Sequence, residues 1–326
     1  MFYAATGKMI SGIMGNRGFA LVIVLLIIST LIGLTVGFSE ETSIEISLSG
    51  YSRDGYRAYQ AARSVVHLAL AVLQKDEDRE MDSLREDWSR KEMLVFPEPF
   101  PDNITFTGEL VDESGKLNIN LLLDQEGEID ESRKEQLTRL FKVKGIEEEK
   151  IQPLLDWLDS NDIERLGGAE NFYYQSREEP YACGNGPLIT FGQLSLVKGF
   201  EDPANLGESG ELNFRDLLTV DSDGKINVNT APPEVLQSLS DMMDRGIADA
   251  IVEYRREKDF LSIDDLKKVP AIDEEIFSGI SKWVTVRSSV FSIEATANYR
   301  EAAARIKAVI ERKEDKSPRL IYWQVM

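Results

Sequence analysis

Six oxygen-bearing side chains crowd into fifteen residues of this chain: Asp156, Asp159, Asn161, Asp162, Glu164 and Glu170. Hard carboxylate and amide oxygens at that density suit Ca²⁺, which takes six to eight oxygen ligands. The spacing is not that of an EF-hand, because Ile163 stands where the third ligand should be. An acidic loop left in water after a helix has the same composition, so residue types alone leave both readings open. Little else could do chemistry. The single cysteine, Cys183, forbids an intrachain disulfide and any cysteine-based zinc cluster, and lies in a Gly/Pro-rich loop that suits a free thiol. The single histidine, His67, leaves Ser-His-Asp, Cys-His and two-His metal sites hard to build. No nucleophile, phosphate loop or redox motif stands out, and the chain reads as a non-enzyme.

The elements that must position these residues follow from composition and pattern. With 326 residues, 42% hydrophobic and 29% charged, the chain can bury a core and should form two folded units or one large one. It carries 57 acidic against 37 basic residues, a net charge of −20. That is the wrong sign for a partner made of phosphates.

Phe19 to Phe38 is a run without a single charge. As a helix it would span about 30 Å, the thickness of a bilayer core. Lys8 and Arg17 precede it, while Glu40, Glu41 and Glu45 follow. This asymmetry places the N-terminal side in the cytoplasm and the body across the membrane. Three readings compete. A secretory signal would end near Thr35-Val36-Gly37, but its apolar region should be shorter. An uncleaved signal anchor fits the length. The third turns on Gly18-Phe19: a basic leader ending in glycine, then phenylalanine opening the apolar helix, resembles a type IV prepilin processing site. The leader would then be residues 1–18, cut on the cytoplasmic face.

No proline occurs before Pro97, so nothing in 19–75 must break a helix. Beyond the membrane, Tyr59, Ala62, Val66, Ala69 and Leu73 recur at steps of three and four, one apolar stripe for packing on a domain. Pro97, Pro99 and Pro101 mark a linker. Ile104 to Leu110 alternates like a half-buried strand, as do Phe291 to Ala297 and Ile306 to Ile310; Leu320 to Val325 is a short apolar finish. The C-terminal segments read as three antiparallel strands, although 300–313 alone could pass for a helix. Between these ends, residues 121–284 are mostly helical and hold 35 acidic against 18 basic residues, the composition shift of an inserted domain. The pattern divides the chain into a leader (1–18), a helix (19–75, with 19–38 crossing the membrane), a first sheet part (76–120), the acidic insertion (121–284) and C-terminal strands (285–326).

The insertion echoes itself. Asp112 to Asn120, DESGKLNIN, returns as Asp221 to Asn229, DSDGKINVN. A helix–turn–helix follows each copy, over 142–158 and 247–284. Thr230 reads as a cap for the helix begun by Pro232-Pro233-Glu234. Asp112 and Asp221 read as turn formers. Residues 247–284 also resemble a helix-hairpin-helix DNA-binding module, whose turns hold phosphate on backbone N–H groups. The turn here is Val269-Pro270-Ala271-Ile272-Asp273, without glycine and followed by Glu274 and Glu275. The scaffold is therefore read as kept and the phosphate site as lost. A membrane-anchored periplasmic protein that binds DNA through this module is the alternative function; a signal-anchored periplasmic enzyme is a third.

Several of these pieces together resemble the minor pseudopilin K family of the type II (general) secretion pathway. They are the Gly18-Phe19 site with its apolar helix, the D-x-x-G-K-[LI]-N-[IV]-N repeats, Leu155-Asp156-Trp157-Leu158-Asp159, Gly167 to Tyr174 (GGAENFYY) and Asn227 to Pro232 (NVNTAP). The resemblance implies an α+β fold: a long N-terminal transmembrane helix, a pilin-like antiparallel-sheet domain, and a large inserted, mostly α-helical domain of SAM-like or helix-hairpin-helix-like type. It implies cleavage by prepilin peptidase between Gly18 and Phe19, with methylation of the new terminus, and residence in the inner membrane of a Gram-negative bacterium with the body in the periplasm. It implies a non-enzymatic role in protein export at the tip of the pseudopilus. Partners would be the I- and J-type minor pseudopilins, the pseudopilus shaft, and the outer-membrane secretin or exported cargo, with no nucleic acid. In most pilins the fifth mature residue is a glutamate that pairs with the terminal ammonium of the subunit ahead. Here that position is Ile23, which suits a subunit with none ahead of it. The resemblance also implies calcium in the region of Asp156 to Glu170.

Overall fold

A helix that leaves a membrane and still packs on a domain needs a long run free of proline with two different faces in series. The N-terminal segment supplies this as α1 (Gly15–Lys75). At 1.5 Å per residue it is about 90 Å long. This computed structural model describes residues 15–76, 80–90, 94, 104–202, 213–313 and 317–326, and of 15–17 the backbone alone. Residues 1–14 of the expected leader and the Pro97–Pro101 linker lie outside the described residues. The first half of α1 is apolar and exposed all round, and it is long and apolar enough to cross a membrane. In the second half, Ala58, Ala62, Val65, Val66, Ala69 and Leu73 are all buried.

After α1 come β1 (Thr105–Asp112), β2 (Leu117–Asn118), α2 (Glu131–Lys144), α3 (Ile151–Leu158), α4 (Asn171–Gln175), β3 (Leu218–Thr219), β4 (Ile226–Asn227), α5 (Pro233–Ser238), α6 (Arg245–Glu257), α7 (Glu274–Ile280), β5 (Val284–Thr285), β6 (Val290–Tyr299), β7 (Ala302–Arg312) and β8 (Pro318–Val325). Four strands form an antiparallel sheet in the order β1-β6-β7-β8. One face of it is small and apolar: Ala295 and Ala297 on β6, Ala304, Ile306, Ala308 and Ile310 on β7 are buried against the α1 stripe. Alanine on both sides lets helix and sheet approach closely. Gly108 on β1 shows how closely, since a Cβ there would lie 2.5 Å from Val65 Cγ1. Segment 302–312, ambiguous by pattern alone, is a strand because both neighbouring strands pair with it.

The chain leaves the sheet at Asp112 and returns at Val290, although β1 and β6 are neighbours with Asp112 opposite Phe291. Everything from 113 to 289 is thus inserted between two paired strands. That exit lies ahead of residue 121, where the charge shift begins, because β2 already pairs in parallel with β3 inside the insertion. The insertion has its own core, from Leu117 and Phe141 to Phe260 and Val284. Its first helix–turn–helix starts at 131, earlier than the 142 read from periodicity, because Asp130 caps α2 by accepting from Arg133 N–H. The second copy is α6 with α7, capped by Asp244 and Asp273.

The duplicated Asn-x-Asn does the same work twice. Asn118 and Asn227 each accept from the backbone N–H two residues on, Asn120 and Asn229 respectively. Asn120 then both donates to Leu188 O and accepts from Leu188 N–H. Asn229 treats Phe260 identically, at 2.9 Å in each direction. Each repeat thus ends a short strand and pins a distant loop by its main chain.

Insertion and sheet are joined by buried polar groups. Asp112 accepts from Ser288 Oγ at 2.6 Å, Thr230 Oγ1 at 2.5 Å and Ser114 N–H at 2.7 Å. Thr230 is therefore not the cap of α5, whose N-cap is Pro232; its hydroxyl serves Asp112 instead. Asp82 accepts from Ser288 N–H at 2.7 Å and pairs with Arg312 at 2.7 Å. Asn227 donates to Ser288 Oγ and to Asp82 O. Burial pushes the Asp82 carboxyl up to about 6 despite Arg312. Glu86, which accepts from Ser83 N–H and Trp88 Nε1–H, is pushed up to about 7, first by burial and further by Asp76 and Asp82.

A carboxyl whose pKa is raised on folding binds its proton more tightly in the folded chain, so its ionisation removes stability as pH rises. For Glu86 this loss runs from its ordinary 4.5 to about 7. Glu86→Gln keeps the acceptor for Ser83 and Trp88. Its melting temperature should equal that of the unmodified chain near pH 4 and exceed it at pH 8. Thermal unfolding across that range checks this; parallel curves refute it.

Candidate functional site

The apolar helix α3 has one acidic side chain, Asp156, on a face with no water: Asp156 is fully buried between Leu155 and Trp157. Its burial is possible because the following loop folds back over it. Asp156 Oδ2 accepts from the backbone N–H of Arg165 at 3.2 Å and of Ala169 at 2.8 Å, while Oδ1 accepts from Arg165 Nη1 at 2.7 Å. Gly168 is required at the crossing, since a Cβ there would lie 1.8 Å from Asp156 Oδ2. Lys198 Nζ donates to Gly168 O at 2.8 Å and sits over the Tyr173 ring, tying the loop to the Trp157, Tyr174 and Tyr181 aromatic cluster.

Asp159 ends α3. One of its oxygens accepts from Asn161 N–H and Nδ2, and the other contacts Arg165 Nη1. Glu170 stands just before α4 and completes a group of three buried carboxylates with ligand atoms all within 4.8 Å of one another. Glu170 is 3% exposed, and among the described residues neither of its oxygens has a hydrogen-bond partner of good geometry. Burial, then the charges of Asp156 and Asp159, push its carboxyl up to about 7. Burial works against the Arg165 charge, but the bonds to Asp156 and Asp159 outweigh it and hold the guanidinium above its ordinary value.

Of the six residues singled out by sequence, the fold gathers Asp156, Asp159 and Glu170. Asn161 accepts from Ile163 N–H and serves the loop turn. Asp162 is exposed and accepts from Asn171 and Asn185, and Glu164 is exposed. Arg165, mid-way along the acidic run, is the member that composition did not single out. Cys183 is buried, its thiol 3.9 Å from Asp156 O, and burial pushes it up to about 11. Three ionised carboxylates against one guanidinium leave two negative charges in excess, and among the described residues no cation pairs with Glu170. An unpaired buried carboxylate is costly. That donor set, all hard oxygen, fits a divalent cation such as Ca²⁺.

Gly18, Phe19 and Ile23 all lie within α1, and Phe19 and Ile23 are exposed. In the second helical pair the chain's own acids meet the helix N-terminus and two of the lysines. The α7 N-terminus is already capped by its own Asp273, with Glu274 and Glu275 in the first turn. Lys267 pairs with Glu274 and Lys268 with Asp265.

Two family models described as type II secretion system (T2SS), protein K match residues 115–204 and 226–287, which is most of the insertion. The chain is 25% identical to type II secretion system protein K of Aeromonas hydrophila, over 91% of this chain and 93% of that one. It is 24% identical to the protein of the same name from Klebsiella pneumoniae, over 85% and 86%. Its fold matches a chain in the crystal structure of the GspK-GspI-GspJ complex of the type 2 secretion system of enterotoxigenic Escherichia coli, with TM-score 0.63 and 16% identity, covering 86% of this chain and 99% of that one.

Gly168→Ala forces the loop off Asp156. The cost should be about 1–3 kcal/mol, as for other overpacked sites. Urea unfolding measures it; an unchanged midpoint would mean that the loop yields freely.

Proposed function

The chain belongs to the type II secretion system protein K family of minor pseudopilins, and from that premise we propose that it is a structural, non-enzymatic subunit at the tip of the secretion pseudopilus. The observation that carries this reading is the insertion of 113–289 between two paired strands of a pilin-like sheet. Stem and sheet alone suit any filament subunit. A second body of this size beside the sheet leaves no room for another subunit stacked ahead, so the position that fits is the end. Ile23 supports the same reading: with no ammonium from a preceding subunit to neutralise, an acid in low dielectric would only add an unpaired charge.

In this reading, prepilin peptidase cuts after Gly18, Phe19 becomes the methylated N-terminus, and Phe19 to Phe38 holds the subunit in the inner membrane until assembly. Its neighbours are I- and J-type minor pseudopilins, as in the complex that contains the structural relative. The acidic insertion faces the secretin or cargo from the periplasm. Asp156, Asp159 and Glu170 hold Ca²⁺, which would supply fixed positive charge at the place where three carboxylates meet.

Intact-mass and N-terminal sequencing of the membrane-extracted chain test the processing step. Phe19 as first residue, with I- and J-type subunits co-extracted, is the expected result. A retained Met1, a cut near Gly37, or extraction without either partner would overturn the tip reading.

A further inference from the structure

Arg165 is the one feature of the carboxylate cluster that a divalent-cation site does not need. Its Nη1 lies between Asp156 and Asp159 and contacts an oxygen of each, so a positive charge already occupies the place that a metal bridging the two would take. It contacts two of the three carboxylates and offsets one of their charges, while among the described residues neither Glu170 oxygen has a hydrogen-bond partner of good geometry. Among the described residues, the side chain makes all its hydrogen bonds at its tip, through Nη1. A quarter of it is exposed, and the next residue, Leu166, is 99% exposed. The Arg165 main chain is fastened separately, through its N–H to Asp156 Oδ2 and through Gly168 N–H to Arg165 O at 2.8 Å. The guanidinium can therefore swing out while the loop stays in place.

We propose that Arg165 is an exchangeable internal cation: its guanidinium closes the site by holding Asp156 and Asp159 together, and a hard divalent ion enters by displacing it into solvent and recruiting Glu170. This rests on the reading of the cluster as a Ca²⁺ site. Two buried aspartates with no positive charge between them would repel each other and lose their compensation for lost hydration. The arginine keeps the fold intact without metal. The same pairing makes the open site a minority state, and apparent affinity falls by the fraction of molecules in the competent state. A monovalent ion offers no more charge than the guanidinium it must displace. A divalent ion satisfies all three carboxylates at once, so Arg165 sets both the threshold concentration and the preference for charge two.

The test is calcium titration by calorimetry on the full chain in detergent, comparing the unmodified protein with Arg165→Gln, Arg165→Lys and Glu170→Gln. Removing the competitor should make Arg165→Gln bind about tenfold tighter or more. Arg165→Lys should fall between, because one ammonium cannot reproduce the planar donor geometry of the guanidinium. Glu170→Gln should weaken binding at least as strongly. If Arg165→Gln is too unstable without metal to titrate, Arg165→Lys decides alone. Calcium binding that is unchanged or weaker in the Arg165 variants overturns the exchange, since the arginine would then be a retained support, while the calcium reading stands. If neither the unmodified chain nor the variants bind, the calcium reading fails and the exchange with it. Binding by Arg165→Gln but not by the unmodified chain supports the exchange in its strongest form.

Discussion

The placement of the inserted body on the stem depends on one buried polar junction. The inserted body leaves and re-enters between adjacent strands, so its two connections start from residues that face each other across β1 and β6. Apolar contact has no direction and would let such a body swing. Direction comes from Asp112 and Asp82, held by Ser288, Thr230, Asn227 and Arg312 from three separate stretches of chain. Removing any one of these partners would leave a buried group unsatisfied, which costs more than the bond contributes. The junction thereby fixes the angle at which the insertion stands on the stem. Its two aspartates both belong to the stem-and-sheet side of the join, Asp112 ending the first strand and Asp82 following the stem, and the insertion reaches them with Asn227, Thr230 and Ser288.

The insertion is strongly acidic yet well packed, because its charge is spread over solvent-facing positions while aromatic and aliphatic residues fill the inside. An exception is the loop after α3, where acid turns inward. There the chain uses the same device as at the junction, buried carboxylates held by backbone N–H groups and one arginine. The difference is Glu170. At the junction Asp112 is met by donors and Asp82 by Arg312, whereas among the described residues Glu170 has no cation beside it. That contrast separates a structural node from a place suited to a ligand. The helical pair that resembles a DNA-binding hairpin follows the opposite logic, with its helix N-terminus filled by the chain's own aspartate and Lys267 and Lys268 paired with its own acids.

The repeat explains how a large insertion can form within a small domain. Each copy carries its own strand end, its own Asn-x-Asn turn and its own helical pair. The second asparagine of each copy reaches a loop well downstream and binds its main chain in both directions. The copies differ in what they are joined to. The first follows directly from β1, and the second contributes Asn227 and Thr230 to the junction. Both copies meet at the junction, the first through Asp112 and Ser114 and the second through Asn227 and Thr230.

The sequence by itself determined whatever depends on near neighbours. The charge-free run and the missing prolines dictate α1, because helical hydrogen bonds span four residues. The apolar alternation of Phe291 to Ala297 and Ile306 to Ile310 dictates strands with one buried face, because side chains alternate every second residue. The repeat and the family motifs were legible as strings. Tertiary structure decided what depends on residues far apart. It set the exit from the sheet at Asp112 rather than at the change in charge, since pairing of β2 with β3 ignores composition. It turned Thr230 from a helix cap into a donor to Asp112, 118 residues away. It selected Asp156, Asp159 and Glu170 from six equivalent oxygens and added Arg165. A carboxylate in a string carries no sign of whether the loop after it will fold back and exclude water, and that exclusion gives these three their chemistry.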